Sequence, residues 1–224
     1  MAEKILISGA SGFIAGHCIV EMLNHGYAVR GTVRDEARAD KLKSILAPHT
    51  EHIDRLEFAS ANLLDADSWL TATEGCDGIL HVASPVPVVQ PKDADEVIRP
   101  ARQGTLNVLT AAREHGIERI VLTSSTAAVM SSNRTSGAYT SEDWTDLTRS
   151  DLSPYIRSKT EAERAAWEFA RGKRRYEAQR SQSRARAWSG AGGGLRLVAG
   201  GPRDSHERAV PDVAKDRLRA RRCP

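Results

Sequence analysis

Tyr155 and Lys159 stand four residues apart in the run Tyr-Ile-Arg-Ser-Lys, and a helical apolar pattern continues through Ala162, Ala165, Ala166 and Phe169. On a helix that spacing puts both side chains on one face. An unperturbed tyrosine, with a pKa of about 10, exchanges protons poorly at pH 7, but an ammonium one turn away stabilises the phenolate. Ser125, 30 residues before Tyr155, closes an apolar run and can set a hydroxyl beside a carbonyl. Together the three side chains can polarise a carbonyl and protonate its oxygen as hydride arrives at carbon. A Tyr-x-x-x-Lys pair by itself often marks only a surface tyrosine near a lysine, so its meaning depends on what accompanies it.

What accompanies it is a glycine turn. Residues 5–16 read ILISGASGFIAG, a short apolar run followed by small residues and then by the helical pattern Phe13, Ile14, Ile19, Val20, Met22 and Leu23. The order is strand, tight turn, helix. Gly9 permits the sharp turn, and Gly12 has no side chain to hold a pyrophosphate away from the free N–H groups of the helix start, where the dipole favours an anion. Ala15 takes the position of a third glycine, with Gly16 beside it, so the spacing is GxxGxxA. Glycine spacing alone is weak evidence; a strand before it and a helix after it give it meaning.

Arg34 bears on which dinucleotide is bound. Folds that prefer NAD usually end their second strand with a carboxylate, which bonds the adenosine ribose and repels a 2′-phosphate. Here an arginine stands at that place, 25 residues after Gly9, and its guanidinium fork suits a phosphate. Lys41 adds a second positive charge nearby. The alternative is a surface pair between Arg34 and Asp35. The reading favours NADP over NAD.

The elements that must position these residues alternate. Tyr27–Val33 is a β-branched second strand, Leu56–Ala59 a short third, Gly78–Val82 a fourth and Arg119–Thr123 a fifth. Asp65 precedes a helix bearing Trp69 and Leu70, and a longer helix runs through Val97, Leu106, Val108, Leu109 and Ala112. Strands separated by helices imply right-handed crossovers and a parallel sheet covered on both faces, so the fold class is α/β, a Rossmann-type doubly wound sheet. Ligands then lie at the carboxyl ends of the strands. The residues there are Gly9 to Phe13, Arg34, Asn62 and Leu63, Ala83 to Pro85, and Ser124 and Ser125.

Composition divides the 224 residues in two. Residues 1–171 carry 18 Lys+Arg against 24 Asp+Glu, whereas residues 172–224 carry 14 against 5. No apolar run approaches the ~20 residues of a membrane helix, and a secretory leader is not evident, so a cytosolic protein is the default and no membrane role is expected. Cys18, Cys76 and Cys223 lack CxxC spacing, which indicates neither a disulfide framework nor a metal site.

The segments GASGFIAGH, VRGTVRD, GILHVASP, GTLNVL, RIVLTSSTAAV and PYIRSKTEAERAAWEF together resemble the extended short-chain dehydrogenase/reductases. Within them they are similar to the branch of dihydroflavonol 4-reductase, cinnamoyl-CoA reductase and NADPH-dependent aldehyde or ketone reductases, often labelled NAD-dependent epimerase/dehydratase. The resemblance spans residues 3 to about 170. It implies an NADPH-dependent oxidoreductase acting on a small-molecule carbonyl or alcohol, with Ser125, Tyr155 and Lys159 as the catalytic triad and Lys159 also on the nicotinamide ribose. It implies Gly9, Gly12, Phe13 and Ile14 under the pyrophosphate, Arg34 and Lys41 at the 2′-phosphate, and Ala83 along the cofactor. Asn62, with Leu63 beside it, stands where relatives commonly place an aspartate that contacts adenine, and weakened binding is the expected consequence. A homodimer through the fourth and fifth helices stays open, since their apolar stripes serve equally well as core.

Residues 172–224 depart from the resemblance. They hold no Ile or Phe and are dominated by Arg, Ala, Gly and Ser, a composition that buries little apolar surface. A sheet truncated after the fifth helix, followed by a largely disordered basic tail in place of the substrate lobe, is therefore expected. A nucleic-acid arm is disfavoured, because aromatic residues other than Tyr176 and Trp188 are missing and no recognised motif is present. Codons for Arg180 to Gly201, read one nucleotide later, can spell AVNPVRVLGPVLGADYGSSLEV, which resembles the family's Asn-Pro loop and its sequel. Gln182 and Trp188, whose codons leave almost no freedom, fall where the Asn and Gly are wanted. The tail thus reads as a shifted frame, leaving a catalytically impaired cofactor-binding remnant as one alternative and a nucleic-acid or scaffold protein as another. For Gly193 to Pro202 to act as a sixth strand, its glycines would have to be tolerated.

Overall fold

In the computed structural model the described residues are 2–87, 89, 91, 93–132, 136–171, 179–180 and 194–200, the last two segments by backbone alone. Five strands and five helices alternate through Arg171: β1 (Lys4–Ile7), α1 (Phe13–Asn24), β2 (Ala28–Val33), α2 (Ala39–Leu46), β3 (Leu56–Ser60), α3 (Ala66–Thr73), β4 (Gly78–His81), α4 (Asp95–Glu114), β5 (Arg119–Ser125) and α5 (Pro154–Arg171). All the strand pairs are parallel, and the first five strands lie in the order β3-β2-β1-β4-β5.

Local sequence explains the pieces. In β1, Ile5, Leu6 and Ile7 are each fully buried although they point alternately to opposite faces, as a sheet covered on both sides requires. Ile5 and Ile7 pack with Ala15, Ile19 and Leu23, spaced four apart along α1, and with Val29 and Leu46. On the other face Leu6 packs with Trp69, Ile79, Val108, Ile120, Leu122 and Ala166. The apolar residues of α4 and α5 thus serve the core of the chain itself. Asp65 caps α3 by accepting from the N–H groups of Asp67 and Ser68, and Pro154 opens α5, where no intrahelical N–H bond is lost.

Sequence pattern does not single out α2. Its signal is modest: Leu42 is partly buried and Leu46 buried, after a 3-10 turn that Asp35 caps through the Ala37 N–H.

The β/α alternation ends with α5 as expected, but the sheet continues. Two further strands, β6 (Gln179–Arg180) and β7 (Gly194–Gly200), follow, and β7 runs parallel to β5 over its whole length, from Arg119 opposite Gly194 to Ser125 opposite Gly200. The stretch whose glycines argue against a strand thus takes the place next to β5 in the order β3-β2-β1-β4-β5-β7-β6, because backbone pairing to the open edge of β5 needs no particular side chain. The remainder of 172–224, and with it the expectation of disorder, the basic tail and most of the shifted-frame segment, lies outside the described residues. Among the described residues no helix is long and apolar enough to cross a membrane, and no cluster of His, Cys, Asp or Glu is placed to hold a metal.

Candidate active site

Strand order reverses direction of growth between β1 and β4, and the crevice of such a sheet opens outside their carboxyl ends. Gly9 leaves β1 at φ 73°, a left-handed backbone that other residues adopt only at a cost, and a Cβ there would lie 3.1 Å from Ala83. Gly9→Ala is accordingly expected to cost about 1–2 kcal/mol in urea unfolding. Gly12 is the residue that caps the start of α1, and a Cβ on it would meet the Gly9 carbonyl oxygen at 3.2 Å. No side chain caps α1 and no acid stands in its first turn, so its leading N–H groups are unclaimed by the protein. Phe13 and Ile14 are exposed beside them, whereas Ala15 is fully buried and does the packing that a third glycine would do.

A serine with no evident role in the sequence pins the turn. Ser8 Oγ accepts from the backbone N–H groups of Val82 and Ala83, each at 2.9 Å, and lies 2.9 Å from His81 Nδ1. With both acceptor positions used, the hydroxyl proton goes to Nδ1, which leaves His81 neutral with its hydrogen on Nε2. Burial pushes His81 down to a pKa of about 3, and the charge of Lys159 adds to the effect. The ends of β1 and β4 are therefore fixed to each other through one hydroxyl.

Arg34 and Lys41 are exposed after β2 and in α2. The pairing of Arg34 with Asp35 that sequence allows is not what forms: the Asp35 carboxylate accepts from the Ala37 N–H instead. After β3, Asn62 Oδ1 accepts from the Leu64 N–H at 3.1 Å, which leaves the exposed side chain its amide NH₂ and one acceptor position of the oxygen to offer a ligand. Leu63 is held twice, by Asn107 Nδ2 donating to its carbonyl at 2.8 Å and by Gly104, whose missing Cβ would come within 2.6 Å of the leucine side chain.

The reacting groups expected from sequence sit at the carboxyl end of β5 and in α5 beside it. Ser125 closes β5 and its Oγ accepts from the Ala127 N–H at 3.2 Å, so its own proton is free to be donated. Tyr155 is half-buried in the first turn of α5, and Lys159 Nζ lies 5.9 Å from the centroid of its ring. Lys159 is 7% exposed, and burial lowers its ammonium from 10.5 to about 8. A small cavity beside it is lined by Ala83, Ser84, Thr105, Ser124, Lys159 and Glu163. Sequence reasoning places Ser124 at the strand ends without giving it a role and misses Ser8, His81 and Glu163; each is a polar residue inside an otherwise apolar strand or helix face, which is the signal that could have found them.

The fold and its site define a doubly wound α/β protein of the Rossmann type, with a glycine turn where the strand order reverses. The chain belongs to the NAD dependent epimerase/dehydratase family, whose model matches residues 5–178. It is 36% identical over 173 residues to a dihydroflavonol 4-reductase of Hordeum vulgare, covering 74% of this chain and 48% of that protein. Cinnamoyl-CoA reductase 1 of Petunia hybrida is 38% identical over 177 residues, covering 76% and 51%. Among solved structures, the NADPH complex of yeast methylglyoxal/isovaleraldehyde reductase Gre2 superposes with a TM-score of 0.66 at 27% identity, covering 75% of this chain and 53% of that one. The chain spans about half the length of the curated relatives it matches.

Proposed function

We propose that this chain binds NADPH and reduces a small aldehyde or ketone to the alcohol. The observation that carries the reading is the seat of Lys159, a buried ammonium one turn along the helix from Tyr155, at the sheet edge where the β4 and β5 ends meet.

The turn fits a dinucleotide, since glycine at positions 9 and 12 keeps the backbone close where a Cβ would meet Ala83 or the Gly9 carbonyl oxygen, and no side chain caps the N–H groups at the start of α1. In this reading Gly9, Gly12, Phe13 and Ile14 hold the pyrophosphate, Arg34 and Lys41 the 2′-phosphate, Asn62 and Leu63 the adenine, and Ala83 lies along the cofactor. NADPH, when bound, supplies the hydride that adds to the carbonyl carbon. Tyr155 gives its proton to the carbonyl oxygen and regains one from solvent. Ser125 donates a hydrogen bond to the same oxygen, and Lys159 stabilises the phenolate that Tyr155 leaves behind while serving the ribose hydroxyls.

Fluorescence titration with NADPH and NADH tests the binding half. Arg34→Ala is expected to weaken NADPH about tenfold or more and to leave NADH unchanged, as loss of a charge-assisted bond to one phosphate predicts. Loss of NADPH absorbance with methylglyoxal, isovaleraldehyde or a dihydroflavonol tests the chemistry. A wild-type chain that does not bind NADPH saturably would sink the proposal. A second reading, a cofactor-binding module of low turnover, is favoured by residues 172–224, which have no Ile or Phe from which to build a substrate lobe. Saturable NADPH binding with no turnover of any of the three carbonyls would select it.

A further inference from the structure

One turn beyond Lys159, α5 carries a carboxylate that the proposed reaction does not use. Glu163 is 5% exposed. Its Oε2 accepts from Ser124 Oγ at 2.6 Å and its Oε1 from Trp167 Nε1 at 3.3 Å. Ser124 is 8% exposed and immediately precedes Ser125. A carboxylate removed from water is costly, and an apolar residue would fill a purely structural position in this helix–sheet contact at lower cost. What the carboxylate provides, and an apolar side chain does not, is a directed link between the end of β5 and the middle of α5.

We infer that Glu163 is a positioning residue: by binding Ser124 it ties the strand that presents Ser125 to the helix that presents Tyr155 and Lys159. The inference rests on the reading of those three as the reacting groups. In a parallel sheet the strand ends and the helices beside them are joined by separate loops; here residues 126–153 intervene between Ser125 and the start of α5. A misplacement of an ångström between two hydroxyls that must meet one carbonyl oxygen is enough to slow a reaction by orders of magnitude. The short Ser124–Glu163 bond spans that gap directly, and the Trp167 indole fixes the other carboxylate oxygen so that the side chain has one orientation.

The substitutions that test this are Glu163→Leu, Glu163→Gln and Ser124→Ala. Leucine keeps the bulk and removes the bonds to Ser124 and Trp167. Glutamine restores them with one polarity reversed, accepting from Trp167 through its oxygen and donating to Ser124 Oγ through its amide. With NADPH and isovaleraldehyde, Glu163→Leu is expected to lower kcat by about tenfold or more while the Kd for NADPH stays within about twofold, and Glu163→Gln to recover most of the loss. Ser124→Ala added to Glu163→Leu should cost nothing further, because the two act through one bond. Hydrogen exchange over residues 120–129 should quicken in Glu163→Leu and not in Glu163→Gln. The inference is overturned by an unchanged kcat and exchange rate in Glu163→Leu, by a loss confined to NADPH binding, or by glutamine behaving as leucine does. If the wild type itself turns over no carbonyl, the functional reading fails, and the exchange comparison still decides whether the tie exists.

Discussion

Lys159→Met is expected to yield a protein that is more stable than the wild type at pH 7 and catalytically dead. Burial lowers the Lys159 ammonium from 10.5 to about 8, so the folded chain holds this proton less tightly than the unfolded chain does. Below pH 8 the folded protein carries the buried charge at a cost on the order of 3 kcal/mol, since each pH interval of one between the two pKa values is worth about 1.36 kcal/mol. Between pH 8 and 10.5 the unfolded chain still binds the proton that the folded one has released, so stability rises with pH and the cost disappears. Methionine has nearly the length of lysine and no charge to desolvate. Urea midpoints should therefore favour Lys159→Met at pH 7 and converge with the wild type by about pH 10.5. Turnover should fall by about 10²–10⁴, the range for removing a group that supports proton transfer. Tyr155→Phe should match that loss without the pH-dependent gain in stability, since it removes a hydroxyl and no charge. A Lys159→Met protein less stable than the wild type at pH 7 would show that the ammonium is paired well enough to be structural.

The contrast between these two residues and the rest of the site shows what a sequence makes legible. Gly9, Gly12 and the Tyr155–Lys159 spacing are readable because their roles are local: a left-handed turn, an approach to a helix start, one helical face. The five strands through Ser125 are readable because β-branched and apolar residues crowd a sheet buried on both faces. Ser8, His81, Ser124 and Glu163 are a different case. Their partners lie 73 residues away for Ser8 and His81 and 39 for Ser124 and Glu163, and nothing in the intervening chain announces the pairing. Asn62 shows a finer limit. Its position after the third strand is evident from the pattern, but that one acceptor position of its oxygen is taken by the Leu64 N–H depends on a turn only two residues long. The strand at Gly194–Gly200 is disfavoured by its own composition, and what places it is the unpaired edge of β5.

The Ser8–His81 link leads to the second large effect, a loss of stability in acid that one residue accounts for. His81 is 2% exposed, edge-on to Trp69 with ring centroids 6.0 Å apart, and its Nδ1 takes the proton of Ser8. With burial, and then Lys159, holding its pKa at about 3 against the ordinary 6.5, the folded chain refuses a proton that the unfolded chain accepts. A depressed pKa of this kind leaves stability whole above pH 6.5 and removes it as pH falls toward 3. At pH 4.5 the loss from His81 alone should be about 3 kcal/mol, at about 1.36 kcal/mol for each pH interval of one below the ordinary value. His81→Asn keeps an acceptor for the Ser8 hydroxyl and has nothing to titrate. It is expected to be less stable than the wild type at pH 7 by about 1–3 kcal/mol, through the packing it loses on Trp69, and to match or exceed the wild type at about pH 4.5. The Glu57 carboxylate, which Lys4 and Arg30 hold below its ordinary range against its partial burial, also loses stability in acid, but it does so equally in both proteins. The difference between their urea curves therefore belongs to His81. Equal falls in the two proteins between about pH 7 and 4.5 would remove His81 as the source. A steeper fall in the wild type would mean that protonation works against the hydroxyl that fixes Ala83 beside Gly9, so that acid should open the strand-end crevice at the junction of β1 and β4 before the helices on the other face of the sheet are lost.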